Sequence, residues 1–157
     1  MDEQDHHSVN RFFLEAGIIS QFSGTLIGRH LPERLSNHHF YLLGHISRRP
    51  EGSTPQHLAY AFQIPKTSMT HMLKVLEELS LIEIAPNPRD ARSKVARITE
   101  AGGELLHTTL GAVAKDIAKM DPPMDLALIG ELVPLLQAVR EQLDEARDNE
   151  NRWAGQR

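Results

Sequence analysis

The chain has 157 residues, a formal net charge of -4, nine histidines and no cysteine. That length suits one domain with a core of its own, and the lack of cysteine excludes disulfides, thiol catalysis and thiol-based redox sensing, as suits a reducing cytoplasm. The polar, acidic start MDEQDHHSVN is neither a secretory signal nor a membrane anchor, and no apolar run approaches membrane-spanning length.

Charge is spread unevenly. Residues 16–99 carry ten Arg or Lys against six Asp or Glu, whereas residues 100–157 carry six against eleven. A basic middle and an acidic C-terminal arm suit a nucleic-acid reader joined to a helical part that does not bind. The acidic total argues against strong non-specific coating of DNA.

Residues 1–8 read as a flexible lead. From about 9 to 29, Val9, Phe12, Phe13, Ala16, Ile19, Phe22, Leu26 and Ile27 recur at threes and fours, which predicts a helix. Gly17, Gly24 and Gly28 lower its propensity, so it needs a partner surface. Pro32 ends that region. Ser36 or Asn37 caps a second helix running to about residue 48 on Phe40, Leu42, Leu43 and Ile46, and Pro50-Glu51-Gly52 breaks it. His39, Phe40, Tyr41 and His45 on this helix are candidate contacts for a small molecule. No histidine pair has the three- or four-residue spacing that chelation from one helix needs, so no metal site is expected; a metal-responsive regulator would have to gather histidines from separate elements.

The stretch TPQHLAYAFQIPKTSMTHMLKVLEELSLIEIAPNPRDARSKVARITEAG, residues 54–102, carries the most information. Thr54 caps a short helix with Pro55 at its first position, although a Ser53 cap one residue earlier is an alternative. Gln63-Ile64 makes a turn, and Pro65 presets the next helix start. Over residues 65–79, Met69, Met72, Leu73, Leu76 and Leu79 fall on one side. Thr67, Thr70, His71 and Lys74 fall opposite, with Ser68 beside them. Glu77 and Glu78 lie at the far end, so the first two turns can approach a polyanion. Ser, Thr and Lys on such a helix reach base edges or phosphates in a major groove.

Ile82 and Ile84 then alternate with Glu83 and Ala85, a proline-flanked loop follows over 86–93, and residues 94–98 return as a strand. Between residues 85 and 97 stand four Arg or Lys and one Asp, on a chain that is acidic overall. Like charges gathered on an exposed loop repel one another and suit a counter-charged partner. Helix, turn, helix and hairpin in this order predict a mainly α fold with a small β-hairpin wing (α+β), that is, a winged helix-turn-helix over 35–102.

Leu58-Ala59, the helix over 65–79, Leu81-Ile82, Asp90-Ala91-Arg92-Ser93-Lys94 and Ile98-Thr99-Glu100-Ala101-Gly102 together resemble the multiple-antibiotic-resistance-regulator (MarR) family of bacterial transcription factors. The likeness extends over about residues 9–145. It implies a cytoplasmic regulator, typically a repressor, that binds a double-stranded, pseudo-palindromic operator as a homodimer through helices over 9–34 and 103–150. By the same likeness Lys66, Thr67, Ser68, Thr70 and His71 face the major groove, and Arg92 reaches the minor groove. Arg89, Lys94 and Arg97 would meet phosphates, and Asp90 would orient the wing by pairing with an arginine. A small aromatic or phenolic effector would enter between the reading core and the dimer helices. Three positions depart from the family pattern: Gln63 replaces a glycine, Pro65 a capping serine and His71 an arginine.

After the hairpin, Thr99 caps a helix to about residue 120 on Leu106, Leu110, Val113, Ile117 and Met120. A last helix spans about 125–148, with Pro134 inside it and a charged end that frays into a tail over 151–157. Motifs for catalysis are missing: there is no phosphate-cradling glycine loop, nucleophile elbow or metal-protease signature, so neither an enzyme nor a cofactor is expected. A winged helix used for protein contact is the alternative reading.

Overall fold

The computed structural model describes residues 2–88 and 90–154, whose elements are α1 (Glu3–Gly28), α2 (Asn37–Ser47), α3 (Pro55–Ala61), α4 (Lys66–Glu78), β1 (Ile82–Asn87), β2 (Asp90–Ile98), α5 (Glu100–Ile117) and α6 (Leu126–Ala154). They divide into a unit reaching to Asp116 and a second unit from Ile117 onward. The first is a winged helix; the second consists of a connection and α6.

The first unit has one core, in which Leu42, Leu43 and Ile46 of α2, Leu58 and Ala59 of α3, Met69, Leu73 and Leu76 of α4, and Leu81, Ile82 and Ala96 of the hairpin are buried together. Each helix contributes the apolar stripe its periodicity predicts, so α4 turns its opposite, polar side outward. β1 and β2 pair antiparallel with Ile82 opposite Ile98, Ile84 opposite Ala96 and Pro86 opposite Lys94. Ser53 adds a bridge on the far side of β2, donating from its N–H to Ala96 O (3.0 Å) and accepting from Ala96 N–H (2.8 Å). β1 is therefore an edge strand, where Pro86 withholds no ladder donor that matters. Ser53 being spent in this way, Thr54 takes the cap of α3, and its Oγ1 accepts from His57 N–H at 3.2 Å.

Four boundaries differ from expectation, each for a local reason. The lead over 1–8 is helical from Glu3, because Asp2 and Asp5 close a capping box: Asp5 N–H donates to Asp2 Oδ1 (2.8 Å) and Asp2 N–H to Asp5 Oδ2 (3.0 Å). The loop over 86–93 is largely strand, and the ladder reaches Asn87 and Asp90 through a bulge after Pro86. α5 stops at Ile117. α6 continues to Ala154 rather than fraying from residue 141, supported by Arg140–Asp144 (2.8 Å) and Arg147–Asp144 (2.9 Å) pairs at helical spacing. The remaining tail positions, 155–157, fall outside the described residues. Asp125 caps α6, accepting from Ala127 and Leu128 N–H, and Pro134 lies inside it, where it leaves the Gly130 carbonyl without its helical donor.

The turn into α4 adopts the left-handed region at Gln63 (φ 52°), the position at which the family resemblance implied a glycine. Ser80 (φ 58°) makes a second such turn, between α4 and the wing. Gly102 in α5 is pressed against the wing root, and a Cβ at this position would overlap the Leu81 carbonyl oxygen and reach Ile98 Cγ1 at 2.8 Å. Gly102→Ala should therefore lower stability by about 2 kcal/mol or more in denaturant unfolding, as overpacking does. Gly17→Ala meets nothing within 4 Å and should raise stability by up to about 1 kcal/mol through helix propensity.

Candidate nucleic-acid interface

α4 begins without a side-chain cap, because Pro65 stands at the N-cap. Lys66, Thr67, Ser68, Thr70, His71 and Lys74 are all exposed along its outer side. The first turns and the wing face one open cleft of about 530 Å³. Its walls are Thr54, Pro55 and Gln56 from the start of α3, Lys66 and Thr70 from α4, and Asn87, Asp90, Ser93 and Lys94 from the wing. Two ammonium groups, hydroxyls and carboxamides thus border a single channel, with Asp90 its one carboxylate. Gln56, Asn87 and Ser93 are members that the sequence reading did not place at the interface, since a lone polar residue in a first turn or a loop carries no signal of its own.

Of the remaining candidates, Thr70 lines the channel, whereas Thr67, Ser68, His71, Lys74, Arg92 and Arg97 are not among its walls. Thr70 Oγ1 donates to Lys66 O at 2.8 Å, which fixes its rotamer along the helix. Lys74 Nζ stands 3.9 Å from Glu78 Oε1, and Glu78 also takes Arg34 Nη2 at 2.6 Å, so the far end of α4 is closer to charge balance than its start. Arg92 is exposed on β2. Arg97, at the base of the hairpin, reaches back to the Glu51 carbonyl with Nε at 3.4 Å and Nη2 at 3.5 Å. Arg89 lies outside the described residues.

The wing tip is organised by short polar contacts. Asn87 Nδ2 donates to Ser93 Oγ (2.8 Å), which in turn donates to Asp90 O (3.2 Å). The expected pairing of Asp90 with an arginine side chain takes another form among the described residues: Asp90 Oδ1 accepts from the main-chain N–H of Arg92 at 3.0 Å. A two-residue Asx contact forms at lower entropic cost than a bridge between two long side chains.

Among the small-molecule candidates, Phe40, Tyr41 and His45 line a second cleft of about 430 Å³ with Gly44, Ser47, Arg48, Phe62, Leu106 and Leu110. Its lining is mostly apolar and aromatic, with His45 edge-on to Phe62 at 5.5 Å between centroids. His39 is not part of it; its ring packs at the start of α2, and burial, then His71, then His38 hold its pKa below the ordinary value. Among the described residues no group of three His, Asp or Glu side chains converges to hold a metal, and no helix is long and apolar enough to cross a membrane.

Residues 35–93 match the model of the MarR family. The matched segment is similar to that family. It is the part of the chain that contains α2 to α4 and most of the wing, so the matched segment and the cleft coincide. The MarR fold extends further in solved structures. MarR from E. coli in its apo form is 23% identical with a TM-score of 0.62, over 79% of this chain and 93% of that one. The transcriptional regulator BldR from Sulfolobus solfataricus is 18% identical with a TM-score of 0.67, over 90% of this chain and 99% of its own. CouR from Rhodococcus jostii RHA1, solved bound to p-coumaroyl-CoA, is 17% identical with a TM-score of 0.60, over 78% and 87%. No curated protein matches in sequence.

Removing the Asp90 carboxylate tests the wing-tip geometry. In Asp90→Ala the Arg92 amide should lose about fivefold or more of its hydrogen-exchange protection, in line with a net hydrogen bond of roughly 1 kcal/mol. Asp90→Asn, which keeps an acceptor oxygen, should retain most of it.

Proposed function

We propose that this protein is a transcriptional regulator that binds a pseudo-palindromic operator as a homodimer and acts as a repressor. The observation that carries the reading is the shared cleft, in which Lys66 and Thr70 of α4 stand across from Ser93 and Lys94 of the wing. A helix and a hairpin held around one channel, with cations on both sides, fit a duplex whose major groove takes the helix and whose backbone and minor groove take the wing. In this reading Lys66, Thr67, Ser68, Thr70 and His71 approach base edges and Arg92 the minor groove, while Arg89, Lys94 and Arg97 contact phosphates. Lys74, drawn toward Glu78, contributes long-range charge more than contact.

The dimer is supported by apolar side chains left in solvent on two helices. α1 exposes Phe13, Leu14, Ile18, Ile19 and Phe22, and α6 exposes Leu126, Leu128, Ile129, Leu132 and Leu135. Uncovered rows of this size on a soluble chain mark an interface. Residues 9–34 and 103–150 are therefore assigned to dimerisation and 35–102 to DNA reading, and a two-fold axis sets two recognition helices about one duplex turn apart. A small aromatic effector is supported by the apolar cleft around Phe40, Tyr41 and His45, and by the aromatic acyl ligand named for CouR. It acts only through a different affinity for the two spacings of the heads. Nothing in this reading requires catalysis or a cofactor.

Selection of duplexes from a random pool, followed by a salt titration of the recovered site, tests the proposal. Arg92→Ala should weaken binding by about 1–3 kcal/mol with the fold intact, and Lys66→Ala should flatten the salt slope by about one ion. Binding independent of salt would point to a protein-contact module. Phe22→Asp should shift the sedimentation profile toward monomer and weaken operator binding with it.

A further inference from the structure

At the start of α2, the N–H of Ser36 donates to His39 Nδ1 at 3.1 Å, and the Ser36 hydroxyl lies 2.9 Å from the same nitrogen. A main-chain N–H can only donate, so Nδ1 is the acceptor and the proton of the neutral ring is on Nε2. Nε2 is buried and has no hydrogen-bond partner among the described residues. The arrangement is a capping box, S-x-x-E/Q, with histidine in place of the acid or amide at the third helical position. Glutamate and glutamine accept from the N-cap N–H over the whole physiological pH range. Histidine accepts only while Nδ1 is bare.

We infer that Ser36 and His39 form a capping box that a proton opens, and that its opening loosens the seat of α4 beside His71. Once protonated, the ring presents Nδ1–H to the Ser36 N–H, donor against donor, so that bond is lost and only the Ser36 hydroxyl is left to accept the new proton. The cation would also stand in the first turn of a helix, where the macrodipole opposes positive charge. The facing titratable groups add to this: His38 neighbours it on α2 and His71 faces it from α4, and no carboxylate acts on His39 among the described residues. The other charges on that side of α4, Lys74 and Glu78, are paired with each other, and Glu78 also holds Arg34. That Arg34–Glu78 contact links the segment just before Ser36 to α4, so movement of the cap reaches the helix proposed to read DNA.

The sign follows from linkage. His39 has a lowered pKa in the folded chain, so as pH falls through the ordinary value of 6.5 the unfolded chain binds more protons than the folded one. Stability attributable to this group is complete above that pH and declines below it.

Three measurements on the full-length chain test the device. Nitrogen-15 spectra of the imidazoles at neutral pH should show His39 as the Nε2–H tautomer, titrating below the exposed histidines; an Nδ1–H tautomer or an ordinary titration overturns it. His39→Gln restores a pH-independent capping box, so its unfolding constant relative to the parent should fall with acidification, by up to about tenfold per pH unit below 6.5. A ratio that does not change with pH overturns the device. The third measurement rests on the proposed function: duplex affinity of the parent relative to His39→Gln should drop by about threefold or more between about pH 7.5 and 5.8, equivalent to roughly 0.7 kcal/mol. His71 is present in both proteins, so its contribution cancels to first order. A flat ratio overturns the coupling to α4, whereas failure of both proteins to bind any duplex overturns the regulator reading and leaves the first two measurements to decide the cap.

Discussion

The angle between the wing and α4 depends on the main chain around Leu81. Its N–H donates to Leu76 O at the end of α4 (2.9 Å), and its carbonyl accepts from Thr99 N–H at the end of β2 (3.1 Å). Thr99 Oγ1 donates to Ser80 O (2.7 Å) and accepts the Gly102 N–H (3.1 Å), while Gly102 presents no side chain to the same carbonyl. Helix end, both strand roots and the start of α5 therefore share one knot of hydrogen bonds around the buried Leu81 and Gly102, where unmade bonds are costly. The cleft has a defined width because this knot does.

From that junction the fold grows in two directions. Toward the core, Leu76, Leu81 and Ile82 join α2 and α3, and the extra bridge from Ser53 to Ala96 ties the α2–α3 connection to the wing. Toward solvent, what is left uncovered follows: the polar side of α4, the cations of β2 and the short hydroxyl and carboxamide contacts at the wing tip. A surface that gathers positive charge on an acidic chain is mechanically tied to the best-packed part of the molecule, and so it is pre-organised rather than assembled on binding.

α1 and α6 differ in kind. Their capping and ion pairs make them helices, yet their large apolar side chains remain in solvent, and neither α1 nor α6 owes its length to the buried core. A second unit that begins at Ile117 fits a chain whose stability is completed by another surface. The apolar cleft by Tyr41 and Leu110 lies where α2 and α5 approach, within the first unit, and it joins the winged-helix core to the helix that leads out of it.

Periodicity and capping chemistry in the sequence by themselves determined the helices, the hairpin and the side of α4 that faces out, because each depends on residues three, four or two apart. The same local rules located Thr54 and Thr99 as caps and marked the absence of one at Pro65. Contacts between distant segments were decided only by the tertiary structure. Ser53 could have been a cap until Ala96, more than forty residues on, claimed its main chain, and Gly102 could have been any small residue until Leu81 was set against it. Gln56 joined the cleft because α3 is packed beside α4, and Asp90 found a neighbouring amide closer than any described guanidinium. His39 was a candidate effector contact by its helix and its neighbours; what only the tertiary structure showed is that its ring accepts from the Ser36 main chain at the N-cap.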